Sequence, residues 1–187
     1  MRLGNNQWGK THTKKLMALF PRLESLDFGT CKKASHHHKF TDLKLPNFPL
    51  LTSFEYTWCY DAGPESMIID NILEGRAAVL KKLVLHRMEG MTMTQTFAVT
   101  DLFLDKLATC PNLEHLSLEG ALAFTDDAVQ RLAAACPKLK VVMLQRSMIF
   151  FERFDFCKAI ISPRLTDASK ATLAHVGTVH LSGWHVV

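Results

Sequence analysis

Apolar residues recur along the chain in one spacing: apolar, two residues, apolar, one residue, apolar, then two residues and a small or cysteine-like position. The copies are Leu23, Leu26, Phe28, Cys31; Leu51, Phe54, Tyr56, Cys59; Leu80, Leu83, Leu85, Met88; Leu113, Leu116, Leu118, Ala121; and Leu139, Val142, Leu144, Ser147. A weaker sixth copy is Val176, Val179, Leu181, Trp184. Their first positions are separated by 28, 29, 33, 26 and 37 residues. The alternation in the middle of each copy has the period of a strand with one buried face.

Two punctuation marks frame the copies. Proline stands two residues before the first apolar position at Pro21, Pro49, Pro111 and Pro137, preceded by Phe20, Phe48, Cys110 and Cys136. The dipeptide Thr-Asp recurs at Thr41-Asp42, Thr100-Asp101, Thr125-Asp126 and Thr166-Asp167. Thr and Asp suit helix N-caps, because their side-chain oxygens accept from unpaired first-turn N–H groups. Asp126 to Ala135 carries Val129, Leu132 and Ala133 at helical spacing, and Asp101 to Thr109 carries Leu104, Leu107 and Ala108. A further helix starts at Pro64, carries Ile68, Ile69, Ile72 and Leu73, and ends at Gly75. Each unit therefore reads as strand, turn, helix, proline corner, next strand. One unit cannot bury its apolar face alone, so stacking makes the strands a parallel sheet and the helices a second row.

Composition narrows the classes. At 48% hydrophobic and 21% charged, the chain of 187 residues is too apolar for disorder and long enough for one real core. Its apolar runs, such as Met148-Ile149-Phe150-Phe151, are far short of the roughly 18 residues of a membrane span, so no membrane partner is expected. The net charge of +4 comes from scattered Lys and Arg, which argues against nucleic acid. Cys31, Cys59, Cys110, Cys136 and Cys157 are dispersed and odd in number, and no apolar secretory leader is present. They read as reduced, structural thiols in cytoplasm or nucleus. Residues 1–19 form a basic N-terminal segment: Arg2, Lys10, Lys14, Lys15 and Arg22 meet no acid in the first 23 residues. That charge resembles a mitochondrial presequence. The favoured reading is a basic first helix around Lys14 to Phe20, since Leu16, Leu19 and Phe20 run directly into the first repeat.

The stretch from Cys110-Pro-Asn-Leu-Glu-His-Leu-Ser-Leu-Glu-Gly-Ala through Phe124-Thr-Asp-Asp-Ala-Val-Gln-Arg-Leu-Ala-Ala-Ala-Cys-Pro-Lys-Leu resembles the cysteine-containing class of leucine-rich repeats. That class is common in F-box receptors of ubiquitin ligases. The match is specific over 110–144, fair over 20–60 and loose elsewhere. The resemblance implies an α/β fold: a right-handed leucine-rich-repeat horseshoe of about five or six repeats over residues 20–187. Its strands would be parallel and concave and its helices convex, with an irregular insertion around 147–175. It further implies a protein-binding module, the substrate-reading half of such a receptor. The segment before the first repeat lacks an F-box pattern, and no helix follows the last strand motif. The expectation is therefore a piece of a longer array, able to self-associate edge to edge at its C-terminal strand. The alternative is a structural or assembly subunit of a large complex, possibly mitochondrial.

In that repeat class the non-apolar strand positions face the open side of the arc. The register assigns partner binding to Trp58, Arg87, Arg146, Glu55, Lys82, His86, His115, Glu119, Met143 and His180. Trp58 and Arg87 share one repeat position on adjacent strands, and Arg146 holds it two strands further on. Trp and Arg are the types enriched at binding hot spots. Ser117 and Val84 fall on the same solvated face.

His36-His37-His38 is the one cluster that suggests metal. Successive strand residues point to opposite faces, so the three cannot converge on one ion without partners such as Cys31 or Cys59. A solvated loop is the preferred reading, and neither metal nor cofactor is expected. No G-x-S-x-G, P-loop or H-E-x-x-H motif is present. His115, Ser117 and Glu119 share a strand face by period two alone, and the chain is expected not to be an enzyme.

Overall fold

The computed structural model describes residues 15, 18–30, 48–58, 65–87, 98–146 and 167–182. In chain order the elements are β1 (Ser25–Thr30), β2 (Ser53–Trp58), α1 (Glu65–Leu73), β3 (Lys82–Arg87), β4 (Ala98–Thr100), α2 (Asp101–Leu107), β5 (His115–Ala123), α3 (Asp126–Ala135), β6 (Val141–Arg146), α4 (Asp167–Thr172) and β7 (Thr178–Ser182). The fold is mixed α/β. Six strands form one parallel sheet in the order β1-β2-β3-β5-β6-β7, so each pairs with its neighbours in the chain and the order never reverses. The short β4 lies off this path and pairs with the second half of β5, Val99 opposite Leu122.

From β2 to β7 the register is the one the apolar spacing predicts; between β1 and β2 it holds through Asp27 and then shifts, so that Thr30 lies opposite Thr57 rather than Trp58. Leu26, Phe54, Leu83, Leu116, Val142 and Val179 lie opposite one another across the sheet. Tyr56, Leu85, Leu118 and Leu144 form a second row. These side chains share one core with Ile69 and Ile72 of α1, Phe103, Leu104 and Leu107 of α2, and Val129 and Leu132 of α3. Neighbouring helices touch in succession, α1 with α2, α2 with α3 and α3 with α4.

The proline corners are one hydrogen-bonded turn repeated. The N–H of Leu23 donates to Phe20 O, Leu51 to Phe48 O, Leu113 to Cys110 O and Leu139 to Cys136 O, all at 3.0–3.2 Å. Proline pre-sets φ at the second turn position and has no N–H to leave unpaired. At three of the four corners the residue before it is buried, Phe48, Cys110 and Cys136, whereas Phe20 at the first is 41% exposed. Burial pushes the Cys110 thiol up to about 11 and the Cys136 thiol up to about 12, which makes both inert at neutral pH. The third corner has no proline. There Arg76, only 2% exposed, occupies the space and its Nη2 donates to the carbonyls of Asn71 and Ile72 at the end of α1. Gly75 ends that helix with φ of 71°, a left-handed turn that glycine adopts without strain.

The Thr-Asp marks act between units as well as within them. Thr125 caps α3 by accepting from Ala128 N, as expected, whereas the Thr100 side chain makes no cap to α2. Instead Asp101 receives two hydrogen bonds from the next unit, from Thr125 N at 2.7 Å and Thr125 Oγ1 at 2.9 Å. Asp101→Ala is expected to cost about 1–3 kcal/mol, because it strands a part-buried N–H and removes a charge-assisted acceptor. Asp105→Ala, which breaks only the exposed pair with Arg131, is expected to cost under about 1 kcal/mol. Urea unfolding of the two variants side by side checks the difference.

Most of the first helix expected around Lys14 to Phe20, of which Lys15, Ala18 and Leu19 are described and helical, lies outside the described residues, as do most of the 147–175 insertion and the Thr41 and Thr166 marks. So do Cys31, Cys59, Cys157, His36-His37-His38 and Trp184. Within the insertion, α4 and the turn after it are described, and Val176 N donates to Leu173 O as at the proline corners. Among the described residues no helix is long and apolar enough to cross a membrane.

Candidate functional face of the sheet

Alternation along each strand sends one set of side chains to the core and the other to the opposite face. The pairing arranges the second set in rows. One row runs Ser53, Lys82, His115, Val141, Thr178, and the next runs Glu55, Val84, Ser117, Met143, His180. A third holds Thr57 opposite His86, and Glu119 opposite Gln145.

Glu55, Lys82, His86, His115 and Glu119 converge into one polar cluster spanning β2, β3 and β5. Lys82 Nζ lies 3.4 Å from Glu55 Oε2, with both side chains more than a third exposed. Such a pair contributes under about 1 kcal/mol and leaves its charges available to a ligand. His86 reaches across to β5 twice: its Nε2 lies 3.1 Å from Ser117 Oγ, and its Nδ1 lies 3.4 Å from Glu119 Oε2.

Two residues expected on a solvated face are buried there: Ser117 is 5% exposed and Val84 4%. They occupy adjacent positions in the middle row, and His86 Nε2 lies against Ser117 Oγ, so parity alone does not give solvation. Met143 follows in that row and is partly buried. His180 is its register partner on β7, and the His180 side chain lies outside the described residues.

Trp58 and Arg87 are register partners, and Arg146 is paired with Gly120. With β5 lying between β3 and β6, Arg146 is two strands from Arg87, in the expected row. All three sit at the last residue of their strands, and their side chains lie outside the described residues. The sequence did not single out the link from His86 to Ser117. Aligning Leu83 with Leu116 places His86 beside Glu119, so the signal was available once the units were superposed.

Desolvation holds His115 below the ordinary histidine range, with Lys82 and His86 adding to the effect and Glu55 opposing it. The folded state thus favours the neutral ring, while the unfolded chain takes up a proton at the ordinary pKa. The stability this provides is full above that range and is lost as pH falls below about 6.5 toward the lowered value. The urea midpoint is expected to drop between about pH 7 and pH 5, and His115→Gln is expected to flatten that drop. An unchanged slope in the variant would count against desolvation of His115 as its source.

Among the described residues no group of three or more His, Cys, Asp or Glu is placed to hold a metal ion. Comparison with known protein families, with curated proteins and with solved structures gave no match.

Proposed function

We propose that this chain is a leucine-rich-repeat horseshoe of the cysteine-containing class whose open sheet face binds a protein partner. On this reading it acts as the substrate-recognition repeats of an F-box-type ubiquitin-ligase receptor. The observation that carries the reading is the sheet: six parallel strands in chain order, one apolar residue repeated in register on the core side, and a changing set of polar residues opposite. A surface whose scaffold repeats while its display varies suits recognition better than a fixed reaction. The described cluster of Glu55, Lys82, His86, His115 and Glu119 would form the polar part of that surface, with Trp58, Arg87 and Arg146 along one rim and Met143 and His180 toward β7. The unbonded thiols of Cys110 and Cys136 fit a reducing compartment, cytoplasm or nucleus.

Affinity purification of the tagged chain followed by mass spectrometry tests the reading. Cullin-ligase components with one enriched client would support it. Stoichiometric recovery of the subunits of one large assembly would replace it with an assembly role, the reading favoured by the basic first 23 residues. Recovery of neither would leave the binding reading without support.

A further inference from the structure

His86 lies between a hydroxyl and a carboxylate, and the binding reading makes no use of that arrangement. Ser117 and Glu119 are two residues apart on β5, so both project from the same face, roughly 6–7 Å apart along the strand. His86, on the neighbouring β3, spans them. Its Nε2 is 3.1 Å from Ser117 Oγ, within reach for direct proton transfer, and its Nδ1 is 3.4 Å from Glu119 Oε2. The carboxylate favours the tautomer with the proton on Nδ1, which leaves the Nε2 lone pair aimed at the Ser117 hydroxyl. We propose that Ser117, His86 and Glu119 form an acyl-transfer site on this face, with Ser117 as the nucleophile toward carboxylic esters. This departs from the expectation of a purely binding chain and does not depend on the partner.

The surroundings define the substrate class. Ser117 is flanked in its row by Val84 and Met143, so its oxygen sits on a largely apolar floor where a charge-bearing neighbour acts strongly. The His86 side chain is 39% exposed and open to solvent, whereas Ser117 is only 5% exposed, so only a slender acyl group reaches its oxygen. In the step itself, Ser117 Oγ bonds to the acyl carbon as its proton passes to His86 Nε2. The carbon–oxygen bond to the alcohol then breaks, and His86 returns the proton to the departing alkoxide. Water, deprotonated by the same nitrogen, cleaves the acyl-serine and restores the hydroxyl. β5 is paired on both sides, so its amide groups are committed to the sheet and do not form an oxyanion hole. Charge on the acyl oxygen would be met only by the side chains of the neighbouring row, Lys82 and His115. An oxyanion-hole donor is commonly worth 10²–10³ in rate. The class that fits is therefore esters with good leaving groups, such as aryl esters, rather than amides.

The test uses a fluorophosphonate probe and p-nitrophenyl acetate on the full chain. The expected result is one phosphonyl adduct per chain, mapped to Ser117 by tandem mass spectrometry, and a burst of p-nitrophenolate. Ser117→Ala should abolish both, and His86→Gln should slow labelling more than tenfold while circular dichroism stays unchanged. Should His86→Gln not fold, Glu119→Gln takes its place, and a severalfold slower adduct is expected. Absence of an adduct on Ser117 in the folded chain would overturn the proposal. So would labelling at the same rate in the folded His86 or Glu119 variant.

Discussion

Leu116→Ala is expected to lower the stability of the fold by about 2–5 kcal/mol, a large share of the 5–15 kcal/mol typical of a domain. Leu116 is fully buried near the start of β5, with Leu83 on one side and Val142 on the other. Truncation removes three carbons' worth of contact in both directions and leaves a void that the paired backbones cannot close. Ser117→Ala, one residue along, removes a hydrogen bond to a histidine that is partly exposed and can turn to water. Its cost is expected near 1 kcal/mol. This exceeds what a solvated serine would show, because Ser117 is buried. Denaturant midpoints of the two variants decide the matter: equal and mild effects would mean that the core-facing parity assigned to β5 is wrong.

The triple replacement of Trp58, Arg87 and Arg146 by alanine is expected to weaken partner binding by well over tenfold and to leave the fold intact. Hot-spot truncations of these residue types typically cost about 2 kcal/mol or more each, and about 1.4 kcal/mol is already tenfold. The three positions are the final residues of β2, β3 and β6, in one row of the register, and on the proposed binding reading a partner lying across these strand ends would meet all three. A titration of the partner recovered by affinity purification, run on wild type and variant with matched circular dichroism, measures the effect. Unchanged affinity in the folded variant would remove this row from the binding surface and shift attention to Lys82, His86 and His115.

The strands and their register were legible because two independent signals coincide. The apolar spacing names the core face, and the prolines name the corner from which each strand starts. Where the corner lacks proline, as before Leu80, the sequence still showed the strand but not what fills the corner. That Arg76 lies buried under the third turn depends on its reaching back to the last carbonyls of α1, which no local pattern announces. β4 was missed for a related reason. The unit between Leu80 and Leu113 has 33 residues, more than the units on either side of it, and its three-residue strand pairs with the extended second half of β5. On the opposite face, the rows were readable from parity, and Glu55, Lys82, His86, His115 and Glu119 do converge. Burial of Val84 and Ser117 was not readable, because it depends on what packs over them across the strands, such as His86 against Ser117. The Thr-Asp marks were read as caps, which holds at Thr125. The larger role of Asp101, tying α2 to Thr125, needs the two units side by side.

Because every main-sheet strand pairs only with its chain neighbours, opening of the structure has a direction. β1 and β7 each have one described strand beside them, whereas β5 is gripped from both sides and carries β4 as well. Local fluctuations that expose amides need break only one ladder at the first and last strands, but two or three at β5. Amide protons of Leu116 and Leu118 should therefore exchange with solvent through the rarest openings, and those of Leu26 and Val179 through common ones. A mechanical pull on the chain would peel units away one after another instead of shearing the sheet at once. The same arrangement keeps register partners such as Trp58 and Arg87 only one ladder apart, so the face can lose a terminal strand without losing the geometry at its centre.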